Sequence, residues 1–155
     1  MYGRLLADGR GVTPDLEAAR GWIARAAAAG LREAQVALAE MLVNGRGGPR
    51  DTGAALELFE KAAAAGHSGA MFALGGLCAG GHDLAEDRAA AQRWFRAAAE
   101  LGHGQAQLML GRYLAEGVAA EPNPSEARSW FEQAAAQGIE EAQADLAARP
   151  GGTLQ

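Results

Sequence analysis

The chain repeats itself every 36 residues, and this period constrains its fold more than any other feature. Gly30, Gly66, Gly102 and Gly138 stand one period apart, as do Ala34, Ala70, Ala106 and Ala142. Gly9, Gly45, Gly81 and Gly117 keep the same step, and so do the Ala pairs at 26–27, 62–63, 98–99 and 134–135. Trp22 aligns with Leu58, Trp94 and Trp130, Ile23 with Phe59, Phe95 and Phe131, and Asp15 with Asp51, Asp87 and Asn123. No insertion or deletion interrupts the register. A period of this size marks a stacked repeat, in which each unit is too small to bury a core alone and leans on its neighbours.

Each unit reads as two helices. In the second unit, helix A is predicted from about Ala34 to Val43, with Ala34, Leu38, Met41 and Leu42 at helical spacing. Asn44-Gly45 ends it, because glycine readily takes the left-handed conformation at a helix C-terminus. Asp51 stands where an N-cap is wanted, and helix B runs from there to about Ala65 and Gly66. In the fourth unit Asn123 caps, Pro124 takes the first helical position, and Glu126 completes a capping-box pattern. Helices of roughly 10–15 residues are marginal alone, so they must pack. Apolar residues make up 49% of the chain but aromatics only 6%, and alanine supplies much of the rest. Alanine allows close helix approach, and the Trp/Leu and Ile/Phe columns are expected to fill the gaps between units.

The pattern A-x3-L-[GA]-x5-G…D-x3-A-x2-[WL]-x3-AA-x2-G resembles the Sel-1-like repeat (SLR) family, a relative of the tetratricopeptide repeats. Ala70, Leu74, Gly75, Gly81, Asp87, Ala91, Trp94, Ala98, Ala99 and Gly102 carry it in the third unit. Ala106, Leu110, Gly111, Gly117, Ala127, Trp130, Ala134, Ala135 and Gly138 carry it in the fourth. The chain departs from the family where an aromatic is usual: it has Leu6, Leu42, Cys78 and Leu114, with Tyr113 one position early. The resemblance implies an all-α fold, a right-handed α-α superhelical solenoid of about four 36-residue helix-turn-helix repeats. The expected organisation is a single SLR domain over 1–149, with repeats 1–33, 34–69, 70–105 and 106–141 and a capping helix at 142–149. Residues 150–155 are expected to be a flexible tail. Shifting the register back from Ala34 starts the first unit before Met1, which suggests a fragment of a longer array or a worn-down cap.

Charge and chemistry narrow the function. The net charge is −5 with a pI near 5.2, and there is no run of Lys or Arg, which argues against nucleic-acid binding. The apolar runs are too short for a membrane span, and no signal peptide opens the chain. Two locations stay open: cytoplasm if the N-terminus is native, periplasm if the chain is a fragment or mature form. The single Cys78 excludes an internal disulfide and a multi-thiolate metal site. His67 and His103 share one repeat position with Leu31 and Ile139, so they read as connector residues rather than ligands; His82 lies in a loop. Ser68, Ser125 and Ser129 are not set in a nucleophile elbow. No catalytic set, metal or cofactor is expected.

Function should therefore lie on a surface. In tetratricopeptide-like geometry the A helices line the concave groove, which by resemblance places the third and seventh positions of each helix A there. The candidate partner-binding residues are Val36, Phe72 and Leu108 as an apolar stripe and Arg4, Glu40, Gly76 and Arg112 beside it, with Glu33 and Gln105 at the border. Phe72 could anchor an apolar side chain there, or turn into the core between helices A and B; both placements are open at this stage. The leading expectation is a scaffold or adaptor that binds a protein, peptide or partner helix, as bacterial SLR proteins do in envelope, secretion or signalling assemblies. The Ala/Gly/Arg bias suits a bacterial source. The alternatives are a cell-wall-related hydrolase and a self-assembling repeat protein that forms homo-oligomers through its solenoid ends.

Overall fold

The computed structural model describes residues 12–80 and 84–148. Among these residues are eight helices and no strand. They are α1 (Val12–Ala28), α2 (Arg32–Asn44), α3 (Thr52–Ala64), α4 (Ser68–Cys78), α5 (Arg88–Glu100), α6 (Gly104–Glu116), α7 (Pro124–Ala136) and α8 (Glu140–Ala148). Helices α2, α4, α6 and α8 are the A helices, and α1, α3, α5 and α7 are the B helices.

The corner after each B helix is the same in all four repeats. Gly30, Gly66, Gly102 and Gly138 take φ values of 95°, 94°, 92° and 90°, where a side chain would be strained. The next residue then folds its N–H back onto the last turn. Leu31, His67, His103 and Ile139 donate to the carbonyls of Ala26, Ala62, Ala98 and Ala134 at 3.1–3.2 Å. This satisfies carbonyls that have no partner inside the helix.

The loop from helix A to helix B is closed by one residue that acts twice. Asp51, Asp87 and Asn123 accept the N–H of Ala54, Ala90 and Glu126 at 3.0, 3.0 and 3.2 Å, capping α3, α5 and α7. Their own N–H groups donate to Leu42, Cys78 and Leu114 carbonyls at 2.9, 2.7 and 2.7 Å. The predicted capping box at Asn123 is corrected here. Its N–H already serves Leu114, so Glu126 accepts instead from the Asn123 side-chain amide at 3.4 Å, from Arg96 at 2.6 Å and from the Trp130 indole N–H at 3.2 Å. Gly45 and Gly117 end α2 and α6 in the left-handed conformation, but α4 stops earlier, at Cys78, with Gly80 at φ 104°.

The chain forms two compact units, 1–70 and 71–155. In the first, Phe59 of α3 packs at 2% exposure with Ala39, Leu42 and Val43 of α2 also buried. Arg20 of α1 holds the following loop by donating to the carbonyls of Arg46 and Pro49 at 3.2 and 3.0 Å. In the second unit, Phe95 and Phe131 of the B helices are each 1% exposed. They seat against Gly75 and Gly111 of the A helices, so closely that a Cβ there would lie 2.5 and 2.7 Å from the rings. Buried Gln107 donates to the Ala99 carbonyl at 3.2 Å and accepts from Gln137 at 3.1 Å, and Gln137 also donates to the Gly102 carbonyl at 2.9 Å. These bonds serve carbonyls at the C-terminal end of α5.

The two aromatic columns divide their work differently from the expectation. The Ile/Phe column supplies the core, whereas the Trp/Leu column lies on the helix flank. Trp22 is 67% exposed, with the Arg25 guanidinium 4.8 Å from its ring, and Leu58, Trp94 and Trp130 are half-buried. Adjacent helical positions differ by about 100°. Only one of the two columns can point straight at helix A.

Tyr113 packs edge-on against Phe95, with centroids 5.3 Å apart. Burial pushes its phenol above the ordinary value of 10.0, and the nearby Glu86 carboxylate adds to this while Arg88 opposes it. A pKa raised on folding stabilises the fold below the ordinary value, and that stabilisation is lost as pH rises through the folded value. An alkaline titration followed at 295 nm is expected to show a late phase that Tyr113→Phe removes. Two tyrosines ionising together near pH 10 would contradict this placement.

Candidate functional site

The open faces of the A helices are the site to build. On α2, Glu33 and Glu40 are exposed and lie two turns apart, on one stripe with Ala37 and Asn44. Val36 lies off that stripe, toward the buried Ala39 and Val43, and is itself only 8% exposed. In the second unit Leu108 of α6 is 2% exposed for the same reason. At Val36 and Leu108 the third position of helix A therefore serves the core.

Phe72 of α4 follows them inward. Its ring stacks on His103, with centroids 4.8 Å apart and planes at 24°, and lies 5.7 Å from Phe95. Of the two placements open from the sequence, it takes the one against the core. Phe72 is half-buried, with His103 and Phe95 covering part of its ring.

The seventh positions and the border residues do reach the surface. Gly76 is exposed, and an added Cβ there would meet nothing within 4 Å. Gln105 is exposed at the start of α6. Arg112 is half-buried, and its Nε donates to Asp145 Oδ2 of α8 at 2.6 Å. That bond holds the guanidinium even more firmly protonated, against the opposing effect of burial. Arg4 lies outside the described residues. Asp145 went unnoticed in the sequence. Its clue is spacing: it falls 33 residues after Arg112, one helical turn short of a full repeat, on the adjacent A helix.

The histidines have a structural task. His67 and His103 are N-caps, whose Nδ1 atoms accept the N–H of Ala70 and Ala106 at 3.0 and 3.1 Å. His82 lies outside the described residues. Ser125 donates to Asn123 Oδ1 at 3.2 Å, as a helix-start residue does. Among the described residues no three His, Cys, Asp or Glu side chains gather as metal ligands, and no helix is long and apolar enough to cross a membrane.

Comparison with known proteins agrees with this architecture. The Sel1 repeat model matches residues 1–31, 32–67, 68–103 and 104–139. The chain is similar to the crystal structure of c5321, a protective antigen of uropathogenic Escherichia coli with an SLR fold, at 31% identity and a TM-score of 0.80. That match covers 95% of this chain and 32% of c5321, so the chain spans about a third of that protein's length. A Sel1 repeat protein from Oxalobacter formigenes is 32% identical with a TM-score of 0.74, over 81% of this chain and 95% of that one. A Sel1 repeat protein from Klebsiella pneumoniae subsp. pneumoniae is 26% identical with a TM-score of 0.59, over 86% of this chain and 67% of that one. No curated protein sequence matches the chain. With all four 36-residue units matched, the same corner glycine in each and the loop-closing bond made three times, the chain belongs to the Sel1 repeat family, an all-α solenoid that is typically a non-catalytic scaffold for protein–protein interactions.

Proposed function

We propose that this chain is a scaffold or adaptor that holds a peptide or partner helix against the open faces of its A helices. The observation that carries the proposal is the bare, exposed backbone at Gly76, together with exposed Gln105 and half-buried Arg112 on α6. Without a side chain at Gly76, a partner can approach α4 closely. In the first unit the corresponding stripe is acidic, with Glu33 and Glu40. Arg112 is a second point of recognition. A partner carboxylate reaches it by displacing Asp145, trading one charge-assisted hydrogen bond for another. Val36, Phe72 and Leu108 are buried or turned into the core, and act by shaping the helices that present this face.

A photo-crosslinking amino acid placed at Gln105 is expected to capture a discrete partner from an extract of the source cells. The same group at Arg93, exposed on B helix α5, is expected to capture little. Equal capture from both sites would overturn the assignment to the A helices. Crosslinking of the chain to itself would point to self-assembly instead.

A further inference from the structure

Helix α4 starts on a cap that His67 supplies only as a neutral imidazole, and we infer that His67 is a pH-responsive latch at the start of this helix, released by protonation. The Ala70 N–H lies in the first turn, where no carbonyl of the same helix can reach it. It donates to His67 Nδ1 at 3.0 Å. On the other side of the ring, Nε2 stands 3.3 Å from Glu33 Oε2 of α2. A single tautomer satisfies both contacts: the proton on Nε2 goes to Glu33, and the lone pair on Nδ1 accepts from Ala70. The imidazolium carries a proton on each nitrogen. It keeps the link to Glu33 but sets one N–H against another at Ala70. It also places positive charge at the positive end of the α4 dipole.

The surroundings decide the sign. Glu33 is the ionisable group within reach of the ring, and its side chain is 87% exposed, so the pairing gained on protonation is weak. Arg32 shares the first turn of α2 with Glu33, and Lys61 lies in the last turn of α3; neither favours a cation here. The first turn of α4 itself carries no acidic or basic side chain, and it meets the ring through Gly69 and the Ala70 N–H. The cap is therefore made by the neutral ring and lost when the ring takes up a proton.

The repeat does not require this histidine. Leu31 holds the same position before α2 and makes no side-chain cap. Ile139, before α8, has no side-chain acceptor, and its backbone carbonyl takes the Ala142 N–H at 3.1 Å instead.

The test is amide hydrogen exchange on the full chain by NMR, corrected for intrinsic rates, between about pH 7.5 and 5.5, which brackets ordinary imidazole titration. Protection of the Ala70 amide is expected to fall about fivefold or more in the wild type, the factor that loss of an N-cap corresponds to. His67→Asn supplies a cap that does not titrate, so it should fold and hold Ala70 protection constant. Glu33→Gln should leave the fall in place. Constant protection in the wild type, or an equal fall in His67→Asn, would overturn the proposal.

Discussion

Phe131→Ala is expected to cost about 3–5 kcal/mol of folding stability, and Phe95→Ala a similar amount. Both rings are 1% exposed and sit in one core with Leu110, Ala106 and Ala127. Truncation removes the apolar transfer gain and leaves a cavity that flanking helices cannot close without breaking their caps. Trp22→Ala touches the neighbouring column but a 67% exposed side chain. Its effect should stay within about 0.5 kcal/mol, as for ordinary surface positions. Urea unfolding of the three variants checks the contrast. Similar losses at positions 22 and 131 would show that the Phe column does not hold the repeats.

The second large effect is a change of sign between neighbours. Gly75→Ala is expected to destabilise by about 1–3 kcal/mol, the usual cost of forcing a methyl group into a filled core. The new Cβ would lie 2.5 Å from Phe95 Cε1 and 2.6 Å from Cδ1, and a fully buried ring cannot swing aside. Gly76→Ala, one residue on, meets nothing within 4 Å. Alanine is the better helix former by about 0.8–1 kcal/mol, so this variant should be stabilised by up to that amount. Thermal unfolding of the pair gives the answer directly. Two shifts of the same sign would contradict the packing.

Much of this was legible in the sequence, because a repeat reports each of its corners several times. Gly30, Gly66, Gly102 and Gly138 marked the turns, and Asp51, Asp87 and Asn123 marked the starts of the B helices. The direction in which side chains face was less legible. Periodicity shows which residues share a column but not the angle of that column to the neighbouring helix. Both the Trp and Phe columns were therefore taken for core, and only the Phe column has that place. The same uncertainty of one step put Val36, Phe72 and Leu108 on a docking face, whereas they pack inward. Gly76 and Gln105 were placed on the surface from their repeat positions, and they are exposed. Links between repeats, such as Arg112 with Asp145 and Arg96 with Glu126, join residues 33 and 30 apart. No local motif announces them. The histidine caps were hidden because histidine is not among the usual N-cap residues.

Each repeat of the second unit is held by a B-helix ring seated on an A-helix glycine. A double-mutant cycle of Gly111→Ala with Phe131→Leu tests it most directly. The Cβ at 111 would lie 2.7 Å from Phe131 Cε1, so the smaller Leu should relieve the clash. The double variant is expected to lose at least about 1 kcal/mol less than the sum of the two single losses, a coupling typical of residues in contact. Losses that add within about 0.5 kcal/mol, as independent sites do, would show that the two positions do not meet as described.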